Sequence, residues 1–128
     1  MRILLDTHIL IWFLYGNPKL SADAVKTIQN PFNEIFYSIT SLWEISIKHR
    51  AKKNVFPFTP SEILSFAEHC NFHRLSIRDL NVLEYEKLPE LHTDPFDNML
   101  VAQARSEGMQ LMTHDHKLEQ FGSDVIMV

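Results

Sequence analysis

The sequence predicts an α/β protein, a three-layer α/β/α sandwich around a central parallel sheet, and three observations predict it. Short apolar runs such as 2–5, EIFYS at 34–38 and the segment 109–113 alternate with longer stretches of helical spacing, which is how a sheet covered by crossover helices reads. The first run is apolar at consecutive positions, as in a strand buried on both faces. The stretch 91–105, LHTDPFDNMLVAQAR, opens on Asp94-Pro95 and continues through Met99, Leu100, Ala102 and Ala104 to a stop at Gly108. A helix so small along its body can lie tightly against a sheet. No repeat or low-complexity tract breaks the pattern, and 128 residues fit one domain, 1–128.

Taken in order, Arg2–Leu5 is a buried strand whose end meets Asp6-Thr7, a helix start. Residues 9–15 are apolar on every side until Gly16-Asn17-Pro18. A helix without a polar face must be covered, and so few elements make self-association or a bound partner segment the expected cover. Residues 21–29 carry helical spacing at Ala22, Val25 and Ile28 with Ser21 as cap, and Asn30-Pro31 ends them. After the strand Glu34–Ser38, Thr40-Ser41 should open a helix with Leu42, Ile45 and Ile47 toward the sheet. Its far end carries Lys48, Arg50, Lys52 and Lys53, where the helix dipole favours cations by ~0.3–1 kcal/mol each.

Phe56-Pro57-Phe58 is a connector. Residues 59–70 form a helix capped by Thr59 or Ser61, with Ile63, Leu64, Phe66 and Ala67 buried and Cys70 packed at its close. Residues 72–77 are β-like, 78–88 helical, and Pro89 marks a loop into the stretch 91–105. Residues 109–113 are a strand, Asp115 starts a helical turn with Leu118 and Phe121, and 122–124 turn into a last strand at 125–128.

Composition narrows the function. A lone cysteine rules out an internal disulfide and a thiolate-rich zinc site, and the first apolar run, broken by Asp6 and His8, is no secretory signal. No stretch reaches the ~18 apolar residues of a membrane span, so a cytoplasmic protein is expected. The net charge of −4 and pI near 5.9 argue against broad attraction to duplex DNA. Acids converging on a bound cation would reverse the sign locally. The seven histidines show no zinc-binding spacing.

In open α/β sheets ligands bind beyond the carboxyl ends of the strands. Asp6 closes the first strand, Asp115 lies two residues past Thr113, and Glu44 and Asp97 should sit in first turns of helices beginning at that edge. Each could instead be a cap: Ser41-Leu42-Trp43-Glu44 fits a capping box, and Asp94, Asp97 and Asp115 suit helix starts. Asp6 resists that reading, because a carboxylate ending a buried strand needs a positive partner or several donors. Clustered carboxylates also raise one another's pKa, and a divalent ion removes the conflict. All-oxygen ligands favour Mg²⁺ or Mn²⁺. The natural chemistry is phosphodiester hydrolysis, with two ions, if two bind, ~3.5–4 Å apart. Thr7, Ser41 and Thr113 would orient water or the outer ligands.

LLDTHILIW, TSLWEISIK, HTDPFDNMLVAQA and LMTHD, in that order along nearly the whole chain, resemble the PIN-domain family of nucleases, and within it the VapC-type toxins of bacterial toxin–antitoxin pairs. The resemblance implies a metal-dependent ribonuclease that cuts single-stranded regions of RNA. It also implies a dimer, held inactive by a small antitoxin whose C-terminal segment crosses the acidic site. Motif for motif, Asp6, Glu44 and Asp97 fall on the family's metal-binding acids, Asp115 on a more variable fourth, and Asp94 on an acidic position beside them. One departure is Asn98, where similar sequences often carry an arginine able to hold RNA phosphate or an antitoxin carboxylate. The basic run 48–53 is the obvious substitute.

Two other readings stand beside this one. The rim could anchor a partner peptide through a cation without catalysis. The other is a metal-dependent phosphohydrolase of small molecules or a receiver-like phosphoacceptor domain; the latter would need a lysine directly after a late strand, and Thr113-His114-Asp115 offers none, Lys117 coming two residues further on. Trp12 and Trp43 lie in apolar helices and are expected in core or interface contacts. His92, His114 and His116 flank the rim, where they could touch phosphate, and are otherwise expected as surface histidines.

Overall fold

The computed structural model of the protein describes residues 1–90 and 92–128; Leu91, the first residue of the stretch 91–105, lies outside them. In chain order run β1 (Arg2–Leu5), α1 (Thr7–Leu14), α2 (Ala22–Gln29), β2 (Glu34–Ser38), α3 (Ile39–Ala51) and α4 (Pro60–His69). There follow β3 (His73–Leu75), α5 (Asp79–Lys87), α6 (Pro95–Glu107), β4 (Gln110–Thr113), a 3₁₀ helix (His116–Asp124) and β5 (Val125–Met127). The strands form one sheet in the order β3-β2-β1-β4-β5, parallel at every pairing. The architecture is the α/β sandwich that the alternation of strands and helices predicts.

Strand periodicity divides the core into two layers. Ile3 and Leu5 pack with Ile9, Leu10, Ala24, Ile45, Ile63 and Ala67, from α1 to α4, on one face. Leu4 points the other way, into a cluster with Leu100, Val101 and Ala104 of α6 and Leu118 and Phe121 of the 3₁₀ helix. Gly108 ends α6 in the left-handed conformation (φ 68°), and Arg2 Nη1 donates to the Glu107 carbonyl beside it (2.7 Å).

The sheet order fixes where a site can form. The chain leaves β1 toward β2 and β3, then returns on the other side of β1 as β4, so its winding reverses between β1 and β4. The loops beyond those two strands diverge there and leave a crevice. Asp6 follows β1 and Thr113 ends β4. At the opposite edge, before β2, a tight turn closes through Asn30, whose side chain accepts from Phe32 N–H (2.9 Å) and whose carbonyl accepts from Asn33 N–H (3.0 Å). Phe32 at its tip is 88% exposed.

Several sequence expectations are corrected. Helix α1 is covered only in part within the chain: Ile9, Leu10 and Ile11 are buried where α2, α3 and α4 pack on that face, whereas Trp12, Phe13 and Leu14 are half-buried and Tyr15 is exposed. Helix α3 begins earlier than Thr40-Ser41, since the Ser38 side chain accepts from Thr40 N–H (2.9 Å) and starts the helix directly from the strand. Glu44 therefore lies in the second turn. Ile47 is exposed, two residues and about 200° around the helix from buried Ile45. Phe66 is also exposed and packs on Tyr15. Cys70 caps the end of α4 in solvent instead of packing. Strand β3 is three residues long, shorter than 72–77.

Candidate metal centre

Three backbone elements converge at the crevice. The Asp6 N–H donates to the Met112 carbonyl (3.0 Å), which pins the end of β1 against β4. Asp6 occupies the N-cap position of α1, yet its side chain makes no capping bond. Its Oδ2 accepts from Thr113 Oγ1 (2.6 Å). Its Oδ1 is buried without a hydrogen-bond partner among the described residues. A carboxylate oxygen so placed is costly unless something positive reaches it.

Glu44 arrives differently. One turn into α3 it points back at α1, where the Thr7 hydroxyl lies 2.7 Å from Glu44 Oε1 and 2.8 Å from Ser41 Oγ. With one hydrogen, Thr7 donates to the carboxylate and accepts from Ser41. Lys48 Nζ meets Glu44 Oε2 at 2.5 Å, an i,i+4 pair on one helix face. The capping-box account of Ser41 and Glu44 thus fails, both being internal to the helix and buried. Lys48 is also drawn away from the free basic end expected of 48–53.

Asp94 is a cap: its Oδ1 accepts from the N–H groups of Phe96 (2.8 Å) and Asp97 (3.2 Å), with Pro95 in the first turn of α6, where a missing donor costs nothing. Asp97, three residues in, instead receives His92 Nε2 on its Oδ2 at 2.9 Å. Asp115 also caps, its Oδ1 accepting from Lys117 N–H (3.0 Å) while its own N–H donates to Thr113 Oγ1 (3.1 Å). With Asp6, His8, Trp12 and His114 it lines an open cleft of about 240 Å³.

The acids act on one another. Burial pushes the Asp6 carboxyl above the usual range, Glu44 adds to the rise, and the Thr113 hydroxyl and His8 oppose it. Asp97 is pushed up to about 7, first by burial and then by the Asp6 charge, with smaller additions from Asp94 and Glu44 and relief from His92. Asp6, Glu44 and Asp94 therefore lie near enough to Asp97 for their charges to act on it. Asp115 meets them only through the cleft it shares with Asp6. Among the described residues, the tightest set of ligand atoms is that of His92, Asp94 and Asp97, all within 4.8 Å of one another.

His92, placed beside the rim by the sequence but expected at the surface, has a side chain only 8% exposed. Its place before the helix cap lets it reach back across the first turn to Asp97. Asn98, the departure from the family pattern, donates from Nδ2 to the His92 carbonyl (2.8 Å) and so holds that loop. Gln103 was silent in the sequence. Fully buried, its Oε1 accepts from Ser38 Oγ (2.5 Å) and Thr40 Oγ1 (3.0 Å), locking the start of α3, which carries Glu44, to α6, which carries Asp97. Trp43 is 58% exposed, edge-on to Phe96, and Trp12 is half-buried between His8 and His114.

The donors fit a divalent cation, since the orphaned Asp6 oxygen and the mutual repulsion of the acids are both relieved by one positive charge. The Thr113 hydroxyl is the only side-chain donor to Asp6 among the described residues. Thr113→Val should cost about 1–3 kcal/mol of unfolding free energy in metal-free protein, read by urea denaturation; a loss below about 0.5 kcal/mol would show that the bond is not needed.

A family model described as PIN domain matches residues 3–123. Solved structures share the fold at low identity. VapBC2 from Rickettsia felis, bound to a DNA fragment from its promoter, aligns over all of this chain and 98% of its own at 17% identity, TM-score 0.70. VapBC from Salmonella typhimurium, also bound to DNA, aligns over 99% and 98% at 18% identity, TM-score 0.70. FitAcB from Neisseria gonorrhoeae aligns over 98% and 95% at 18% identity, TM-score 0.62. No curated protein sequence matches the chain.

Proposed function

The chain belongs to the PIN-domain family, and from that premise we propose that it is a Mg²⁺- or Mn²⁺-dependent endoribonuclease. Its substrate is RNA in single-stranded regions, and its role is that of the toxin in a toxin–antitoxin pair. One observation carries the reading: the buried Asp6 carboxylate, at the point where the sheet reverses its winding, has an oxygen with no partner among the described residues and the charge of Asp97 beside it. Asp6 and Asp97 would hold the ion, with Glu44 and Asp115 flanking. When bound, the ion supplies activation of water and neutralisation of phosphate charge. Thr113 orients Asp6, Thr7 and Lys48 fix Glu44, and Ser41 completes that shell.

Arg50, Lys52 and Lys53 remain to meet RNA phosphate once Lys48 is committed to Glu44. An apolar cleft lined by Trp43, Ile77, Val82, Tyr85, Phe96 and Met99 offers a protein partner, antitoxin or second copy, its surface. The structures of VapBC and FitAcB complexes support the pairing with an antitoxin.

The test is cleavage of a single-stranded oligoribonucleotide by the purified chain, freed of any partner. We expect products with Mg²⁺ or Mn²⁺ and none in EDTA. Cleavage undiminished by EDTA would refute the reading. Tight ion binding with no cleavage of any RNA would favour a metal-anchored interaction module instead.

A pH dependence follows as well. Asp97 has its folded pKa raised to about 7 from 3.8, and Asp6 is raised too. The folded state thus holds protons that the unfolded chain has lost, and metal-free stability falls as pH rises from the unfolded value of 3.8 to about 7. Thermal melts should show Tm dropping across that window, and added Mn²⁺ should raise Tm more at pH 8 than at pH 5. A Tm that climbs with pH in EDTA would contradict the charge crowding.

A further inference from the structure

We propose that His92 is itself a metal ligand, and that it shifts the preference of the site from Mg²⁺ toward Mn²⁺ and other divalent ions that accept imidazole. The inference rests on the metal-centre reading above and adds to it a nitrogen donor. The His92 Nε2, an Asp94 carboxylate oxygen and an Asp97 carboxylate oxygen all lie within 4.8 Å of one another. His92 Nε2 and Asp97 Oδ2 are 2.9 Å apart. Neighbouring donors in an octahedral shell with bonds of about 2.1 Å stand about 3 Å apart, so these two atoms already have the spacing of adjacent ligands. A proton now bridges the positions that an ion would bridge.

A second observation points to the same place. Asp6, 2% exposed, leaves Oδ1 without a partner among the described residues, and no other charge weighs on Asp97 as heavily. A positive ligand between His92, Asp94 and Asp97 would relieve both Asp97 and the partnerless Asp6 oxygen. The imidazole is also held in advance. Its side chain is 8% exposed, and its backbone is anchored by Asn98 Nδ2 on the His92 carbonyl (2.8 Å), so little freedom remains to be lost on ligation. Asn98 is on this account a positioning residue. Neutral imidazole is a good ligand for transition ions and a poor one for Mg²⁺, which favours oxygen and keeps its waters.

The experiment uses the full chain loaded with Mn²⁺ and reads the spin echo modulation of the bound ion. We expect nitrogen-14 coupling from one imidazole, lost in His92→Gln and retained in His8→Gln. By competition, Mn²⁺ should bind the wild type at least about tenfold more tightly than Mg²⁺, a ratio that falls severalfold in His92→Gln. Asn98→Ala should weaken the nitrogen signal without removing a ligand atom. Bound Mn²⁺ without nitrogen coupling in the wild type would overturn the assignment of His92 and leave the carboxylate centre standing. Coupling that survives in His92→Gln and disappears in His8→Gln would overturn it too. Failure of Mn²⁺ to bind at all would overturn both this inference and the metal-centre reading. The wild-type spectrum decides the first point even should the variant fold poorly.

Discussion

Asp97→Asn is expected to lower metal-dependent RNA cleavage by about a hundred- to a thousandfold, on the order of what is lost when one preorganised electrostatic group at a reacting centre is removed. The same change should leave Tm at pH 8 in EDTA unchanged or higher. The two expectations have one cause. Burial and the neighbouring Asp6 raise the Asp97 pKa to about 7, so above that pH its charge opposes folding, and a neutral amide of the same shape removes the opposition. A residue kept for packing would behave in the reverse way, with stability falling and activity following it. Cleavage by Asp97→Asn within tenfold of wild type, measured at saturating Mn²⁺, would remove Asp97 from the centre.

The second large effect lies in the fold that carries the site. Leu4 is fully buried in the central strand, paired with Phe36 and Leu111 on either side, and faces the layer opposite to Ile3 and Leu5. Leu4→Ala should cost about 2–5 kcal/mol, a large share of the roughly 5–15 kcal/mol by which domains are stable. Tm should fall by on the order of 10 °C. Phe32→Ala, at the exposed turn, should change stability by no more than about 0.5 kcal/mol. Equal losses in the two variants by urea titration would mean that the layered core is misplaced.

Much of this was legible in the chain. Ser21, Thr59 and Asp94 announced their helices and do cap them, and consecutive apolar residues marked β1. Helix α3 starts ahead of the Thr40-Ser41 signal because Ser38 is both the last residue of a strand and a cap, and a single residue cannot show both roles in a linear pattern. How much of α1 the chain covers by itself depends on which face the next three helices choose, which no linear pattern shows. That Asp6, Glu44 and Asp97 would share an edge could be argued from strand ends and helix starts. The contributions of His92, Lys48 and Gln103 could not, since each depends on a side chain reaching across a turn or between helices.

The turn of residues 30–33 closes on its own backbone and asparagine side chain at the end of the sheet remote from the crevice. A fluorophore, a tether to a surface or a short inserted tag at Phe32 should therefore leave the chemistry undisturbed. That position gives single-molecule and immobilised assays of this protein a place to take hold.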